Sequence, residues 1–415
     1  MLGEPHLNWA ALALPIFFGA VLIEARLGAR NGRYAFGTAV SDLSCGSLFQ
    51  AVELLLKLLT LGAYAYAYEH WRFIDHAEGS WVPWVIAFVG VDLLFYWWHR
   101  TSHVVNVLWA VHGVHHQTED YNLAVALRQP LFEPITWLFF YLPLALLGVS
   151  PLLYLAAYAL NRFYQFWIHT ELVGKLGPLE WILNTPSHHR VHHAVQEQYL
   201  DRNYGAILIV WDRLFGTFEP EVEQPLYGTT VPLRSYNPLW ANFSYFQRIG
   251  TLARLSGKPL AILRAAVAPP VWLPEGATDP AVKPPDRSTY EPYRPTVSRR
   301  LKAYVVIHMA ALGSAIGTVF FYEEFLTIGQ LAILATVFSA SVISLPALIE
   351  KRPWAMPLEV TRLVAAALVS AWAALTLLGL SPNTAALIGG SFLAISALLL
   401  WQLPERPAQL TDQGA

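Results

Sequence analysis

Ten of the chain's 14 histidines fall between positions 99 and 193. His99 and His103 are four apart. His112, His115 and His116 are spaced three and four, and His189, His192 and His193 repeat that pattern. Residues at i, i+3 and i+4 share one helix face, so each cluster reads as a half-site of two or three imidazoles. His169 stands alone at the end of an apolar stretch that brings it to the same depth. Neutral imidazole is a good ligand for iron, zinc and copper. Nine exceed what one four- to six-coordinate ion needs, and suit two. His188 points about 100° away from His189 and reads as lying outside the ligand set. His6, His70, His76 and His308 are isolated and read as satisfied structural residues.

Two other residues are assigned to the reaction site. Asp92 lies seven residues before His99, two turns along the same face and inside an apolar stretch. An ionisable residue there marks a functional site, and its expected task is to accept the distal N–H of a ligand histidine. Gln165 is four residues before His169, so both should project towards the metals. An amide is a weaker ligand than imidazole, so an open position for O2 or substrate is expected beside it. Asn122, Arg128, Asn161 and Arg162 read as polar lining or mutual partners. No HExxH, Glu-x-x-His, P-loop, GxGxxG or GxSxG pattern is present, which removes zinc-protease, soluble di-iron, ATP, flavin and hydrolase signatures. Iron would give the site oxygen chemistry; zinc would make it structural or hydrolytic. A histidine-rich metal transporter or sensor is the rival from another class. Transport sites, however, lie at the bilayer midplane among broken or repeated helices.

The elements that must position these residues are membrane helices. Hydrophobic residues make up 55% of the 415 and charged residues 13%, about half the usual charged share, and the mean hydropathy is +0.39. That excludes a disordered regulator, a coiled coil and an ordinary cytosolic enzyme. A net charge of −2 gives no pull towards nucleic acid, and the single Cys45 excludes an intrachain disulfide or an iron–sulfur site. The fold expected is all-α and polytopic, with about nine spans at 8–25, 46–67, 81–98, 130–148, 151–169, 303–322, 326–348, 359–379 and 384–401. Arg26, Arg30 and Arg33 after the first span, and the Lys/Arg-rich segment 170–302, put the histidine clusters and the C-terminus on the cytoplasmic side. Residues 206–218 are too short to span and read as buried or re-entrant. Residues 238–267 read as a basic amphipathic helix in the interface. Eight prolines between Pro269 and Arg300 make a stiff linker. The expected units are an anchor helix and basic loop (1–45), a histidine-rich module (46–268), the linker (269–302), a four-helix membrane module (303–401) and a tail (402–415).

The segments HRTSH (99–103), HGVHHQTEDYNLAVALRQ (112–129), QFWIHT (165–170) and TPSHHRVHH, followed by NYGAILIVWDRLFGTF, resemble the fatty acid hydroxylase/sterol desaturase superfamily. Within it they look most like the ether-lipid branch, the alkylglycerol monooxygenases. The resemblance implies a membrane oxygenase with two Fe ions held by His99, His103, His112, His115, His116, His169, His189, His192 and His193. Such an enzyme splits O2 to hydroxylate a lipid C–H bond. In the ether-lipid branch that carbon adjoins the ether oxygen, the hemiacetal collapses to an aldehyde and glycerol, and tetrahydropterin supplies electrons. Fatty-acid-type hydroxylases often carry a histidine where this chain has Gln165. No fused haem segment is present, so a separate electron donor is implied. Another lipid hydroxylase or desaturase of the superfamily is the nearest alternative. The Arg- and Ala-rich composition suits a bacterial inner membrane better than the endoplasmic reticulum.

Overall fold

Long apolar runs have to satisfy their backbone groups internally, and every regular element among the described residues is a helix. The computed structural model of the chain describes residues 9–28, 34–277, 285, 287, 288 and 290–403. His6, the loop bearing Arg30 and Arg33, and the tail from 404 lie outside them. The first helices are α1 (Trp9–Gly28), α2 (Phe36–Trp71), α3 (Val82–Val104), α4 (Asn106–His116) and α5 (Leu123–Ala126). Next come α6 (Glu133–Leu146), α7 (Pro151–Trp167), α8 (Pro186–His192), α9 (Val210–Phe215), α10 (Pro238–Ser256) and α11 (Ala261–Val267). The chain finishes with α12 (Arg299–Tyr322), α13 (Ile328–Ile349), α14 (Ala355–Thr376) and α15 (Pro382–Trp401).

Five of these are long and apolar enough to cross a membrane: α3, α12 with its short extension to Phe325, α13, α14 and α15. The bent α2, with limbs Phe36–Glu53 and Leu55–Trp71, makes a sixth if it counts as one span. The protein is therefore an integral membrane protein. The stretches expected to cross at 130–148 and 151–169 form α6 and α7, of 14 and 17 residues, short of the ~20 that ~30 Å of hydrocarbon requires. Pro143 and the reversal at Gly148 (φ 79°) end α6 early, and Ser150 caps α7 through the Leu153 N–H. The stretch 206–218 holds the short α9, and 238–267 divides into α10 and α11 at Gly257 (φ 59°).

One core joins α3, α6 and α7 around Phe95, Trp98, Trp137, Tyr141 and Leu144. A second joins α2 to the C-terminal helices through Leu48, Leu312, Leu334 and Phe338. Within those C-terminal helices the buried Glu359 accepts from Tyr304, from Ser344 at 2.5 Å and from Arg362. The far end of the Pro-rich segment is ordered by contacts rather than by helix. The Tyr293 N–H donates to Glu119 at 2.5 Å, Arg294 pairs with Asp120 at 2.6 Å, and Tyr293 O–H reaches Glu350 at 3.2 Å. It thus ties the loop after the second histidine cluster to the end of α13.

Candidate metal centre

The centre is assembled at the turn between α3 and α4. α3 stops at Val105, which is extended (φ −120°, ψ 118°), and the buried Asn106 fixes the reversal. Its N–H donates to the Ala268 carbonyl at 2.9 Å, its side-chain amide donates to the Ala265 carbonyl at 2.9 Å, and it accepts from Tyr245 O–H at 2.9 Å. α4 therefore folds back so that the His112/His116 face meets the His99/His103 face. α8 opens with Pro186, whose fixed φ suits a first turn. Arg190 on it forms a two-point pair with Glu221, at 2.8 and 2.7 Å, and donates to the carbonyls of Thr170 and Val173 at 3.0 and 2.8 Å. That guanidinium locks the third cluster to the loop after His169.

All nine histidines converge, in two adjoining groups. His99, His103, His112, His116 and His192 form one, and His115, His169, His189 and His193 the other. Within each group one nitrogen per ring lies within 4.8 Å of all the others. The groups touch where the rings of His116 and His193 stack at 4.4 Å.

Hydrogen bonds decide which nitrogen faces inward. Nδ1 of His99, His115, His169 and His192 lies 2.8, 3.1, 2.7 and 2.9 Å from the carbonyls of Tyr204, Arg128, Gln165 and Arg202. A carbonyl only accepts, so these Nδ1 atoms carry the proton and each Nε2 presents a lone pair. Yet Nε2 of His169 and Nε2 of His115 are 3.1 Å apart. Two lone pairs at that distance do not bond; they need a cation between them. Nε2 of His103 and of His192 are buried with no hydrogen-bond partner at all. Burial, then the neighbouring imidazoles, pushes His112, His116, His189 and His193 well below the ordinary histidine range. Neutral rings are the metal-binding form. The donor set fits two nitrogen-loving first-row ions.

A layer of buried carboxylates lies behind the rings. Asp92 accepts from Asn161 Nδ2 (3.0 Å), the N–H groups of Ile207 and Leu208 (2.9 and 3.2 Å), and Trp211 Nε1 (2.9 Å). It touches no histidine, against expectation: folding brings the 207–211 segment onto α3 and fills all its acceptor sites. Asp212 does the same for the residues just before, accepting from the N–H groups of Tyr204 and Gly205 at 2.8 and 2.7 Å and from Thr217 at 2.7 Å. A Cβ at Gly205 would stand 2.5 Å from the Leu208 carbonyl, so only glycine permits this turn. Together the two aspartates pin the segment whose Tyr204 carbonyl orients His99. Asp92 is a positioning residue, acting at one remove.

One carboxylate that does face a ligand histidine is Glu133, which sequence reasoning missed. Its Oε1 lies 3.6 Å from His112 Nδ1, and its Oε2 pairs with Arg162 at 3.1 Å. The one signal was a lone acid opening the apolar stretch 130–148. Arg162 therefore serves Glu133. Gln165 is buried on α7, one turn before His169. Its amide donates to Asn161 Oδ1 at 2.6 Å and accepts from Arg162 at 3.4 Å, so its helix neighbours occupy the groups expected to face an open metal position. Its carbonyl serves the site through His169 Nδ1, 2.7 Å away. Arg128, fully buried, pairs with Asp42 at 3.1 Å and donates to the Val114 carbonyl at 2.6 Å. His188 faces Glu180 and Phe218 instead of the centre, and burial pushes it down to about 4. His188→Ala is expected to leave the metal content of the purified protein unchanged by elemental analysis. A loss of half the metal would place His188 among the ligands.

Residues 84–217, which span all four motifs, match the fatty acid hydroxylase family. The chain is 37% identical over 361 residues to the alkylglycerol monooxygenase of Danio rerio, covering 85% of this chain and 80% of that protein. It is 36% identical to the human alkylglycerol monooxygenase over 86% of this chain and 81% of that protein. With the Xenopus tropicalis protein of the same name the identity is 35% over 78% and 73%. No solved structure matches. Identity at this level over most of both chains, with the family match across residues 84–217, makes the protein an oxygenase of the fatty acid hydroxylase family, among the alkylglycerol monooxygenase relatives.

Proposed function

We propose that the protein is a membrane di-iron monooxygenase that hydroxylates the ether-linked carbon of an alkylglycerol-type lipid. The observation that carries this reading is the convergence of all nine motif histidines on two adjoining groups, in a chain 37% identical to a protein named for that activity. His99, His103, His112, His116 and His192 would hold one iron, and His115, His169, His189 and His193 the other. When bound, the iron pair supplies activation of O2 and delivery of one oxygen atom to a C–H bond. Electrons come from a separate donor, with tetrahydropterin the first to test.

The chain's own residues do the rest. Main-chain carbonyls of Arg128, Gln165, Arg202 and Tyr204 keep the protons on Nδ1 and aim each Nε2 inward. Glu133 sets the charge behind His112. Burial of every ring excludes bulk water, which protects a reactive site from side reactions. A hydroxyl placed on the carbon bearing the ether oxygen makes a hemiacetal, which separates into aldehyde and glycerol without further help.

The test is protein loaded anaerobically with ferrous iron, then given 1-O-hexadecylglycerol, O2 and a tetrahydropterin. Hexadecanal and free glycerol are the expected products. A hydroxylated chain with its ether intact would replace this reading with that of a simple lipid hydroxylase.

We further propose that the histidine face lies on the cytoplasmic side of a bacterial inner membrane. Ser235 is buried against Glu350 and unsuited to labelling, whereas Glu223 is exposed. With Cys45 replaced, Glu223→Cys is expected to resist an impermeant thiol reagent in intact cells and to label after lysis. Labelling before lysis would invert the topology.

A further inference from the structure

Residues 206–218, too short to cross a membrane, are held by the middles of two helices. The Asp92 carboxylate that accepts from the N–H groups of Ile207 and Leu208 and from Trp211 stands ~15 Å along α3 from Val82. Asn161, which donates to the same carboxylate, stands ~15 Å along α7 from Pro151. Both helices start at one face, because the loops before them are joined. The Phe73 N–H donates to the Leu146 carbonyl at 2.9 Å, and a ring nitrogen of His76 lies 2.9 Å from the Leu147 carbonyl. α3 is long enough to cross, and the hydrocarbon is ~30 Å thick. The contact through Asp92 therefore falls near the middle of the bilayer, short of the histidines that stand further along both helices.

The backbone held at that depth is irregular. Leu183 and Leu208 form an isolated antiparallel bridge. Beside it the Asn184 N–H donates to the Ile207 carbonyl at 2.8 Å and the Ile209 N–H to the Ile182 carbonyl at 2.9 Å. The N–H groups of Ile182 and Leu183 turn back to the Leu179 carbonyl at 3.2 and 2.8 Å. With the two taken by Asp92, every N–H of 182–184 and 207–209 has a protein acceptor. A loop in water can leave such groups to solvent. Hydrocarbon offers no acceptor, so irregular backbone persists there only where protein satisfies it. A carboxylate spent at mid-span on two loop N–H groups answers that demand.

The same unit exposes apolar side chains. Leu179, Trp181, Ile182 and Leu214 are 56%, 68%, 58% and 67% exposed. It packs on both helices: the Phe215 ring lies 4.9 Å from that of Trp97, and Tyr164 O–H donates to the Asn184 carbonyl at 2.6 Å. Those helices expose Val89 on α3 and Leu160 and Phe163 on α7, so the apolar surface of the unit continues theirs. The nearby charges of Lys175, Glu180 and Arg213 gather instead with His188 and Glu221 around a polar cavity of about 130 Å³.

We propose that residues 177–183 and 207–215 form a re-entrant wedge in the leaflet nearest the histidines, with Leu179, Trp181, Ile182 and Leu214 in contact with lipid acyl chains. This goes beyond the reaction assigned above and does not depend on it. Asp92 thereby gains a second task, since its carboxylate lets irregular backbone enter the membrane. α8 and its histidines follow the first limb directly, so the wedge also sets the depth at which the third cluster stands.

Spin labelling tests this in full-length protein in nanodiscs. With Cys45 replaced, a nitroxide is placed in turn at Leu179→Cys, Ile182→Cys and Leu214→Cys. Val89→Cys serves as the lipid-facing reference and Glu223→Cys as the aqueous one. Collision with O2, which concentrates in hydrocarbon, is compared with collision with a water-soluble nickel chelate. The O2-to-nickel ratio at the three wedge positions is expected to exceed that at 223 by roughly fivefold and to match that at 89. A ratio equal to that at 223 puts the unit in water and overturns the proposal. Low collision with both reagents means that protein covers the face, a second copy or another chain, and overturns it equally. None of these readings requires turnover, so failure of the oxygenase assignment leaves them intact. Should the labelled variants fail to fold, the unaltered protein decides. A phosphatidylcholine with a diazirine midway along its acyl chain should form adducts within 179–182 and 210–214, and adducts on α3 without any there would overturn the wedge.

Discussion

His169→Ala is expected to empty the four-histidine group of metal and to take turnover below detection, while Gln165→Ala retains most of the metal. The imidazole of His169 lies 3.1 Å from that of His115 and 3.0 Å from that of His189, so its loss removes one of four donors from the middle of the group. The Gln165 amide has no such place. Its removal strips hydrogen bonds from Asn161 and Arg162, a cost of about 1–3 kcal/mol, while the main-chain carbonyl that holds His169 stays. Iron content and O2 consumption, measured on the two variants loaded side by side, separate these outcomes. If Gln165→Ala loses iron as fully as His169→Ala, the amide is a ligand and the hydrogen-bond account fails.

The second large effect is expected far from the histidines. Glu359→Ala should destabilise the protein by about 3–5 kcal/mol, because it strands the Arg362 guanidinium among α12, α13 and α14. Glu359 and Arg362 are both buried, and Glu359 also satisfies Tyr304 and Ser344. The double change Glu359→Leu with Arg362→Leu should recover most of the loss, since it removes the charge along with its partner. Reversible unfolding in mixed micelles gives the comparison. A single variant as stable as the parent would show that the cluster contributes nothing.

Eight of the nine histidines were legible because helical spacing decides which residues share a face, and both repeats of the three-histidine pattern keep that spacing; the lone His169 was legible from its place at the end of an apolar stretch. All-helical architecture was legible from the apolar runs. What the sequence did not reveal depends on contacts between distant segments. Asp92 has the register expected of a partner to His99, yet its acceptor sites are taken by residues 115 to 119 positions further along. Glu133 reaches His112 only because α6 packs beside α4. α6 and α7 carry hydropathy suited to a span, but the turn residues at their ends, Gly148 and Ser150, make them shorter than the hydrophobic stretch around them.

Four of the nine imidazoles are held through Nδ1 by peptide carbonyls, those of Arg128, Gln165, Arg202 and Tyr204. A peptide carbonyl is encoded by no codon in particular. Point mutation at these four positions can change volume, charge or packing, but it cannot delete the acceptor. Only backbone displacement can do that. The inward aim of these rings is therefore buffered against substitution at the very residues that provide it, and exposed instead to insertions, deletions and prolines in the segments that carry them. A mutational scan with single-residue deletions beside substitutions would reveal the contrast, with deletions at 202–205 far more damaging than side-chain replacements at Arg202.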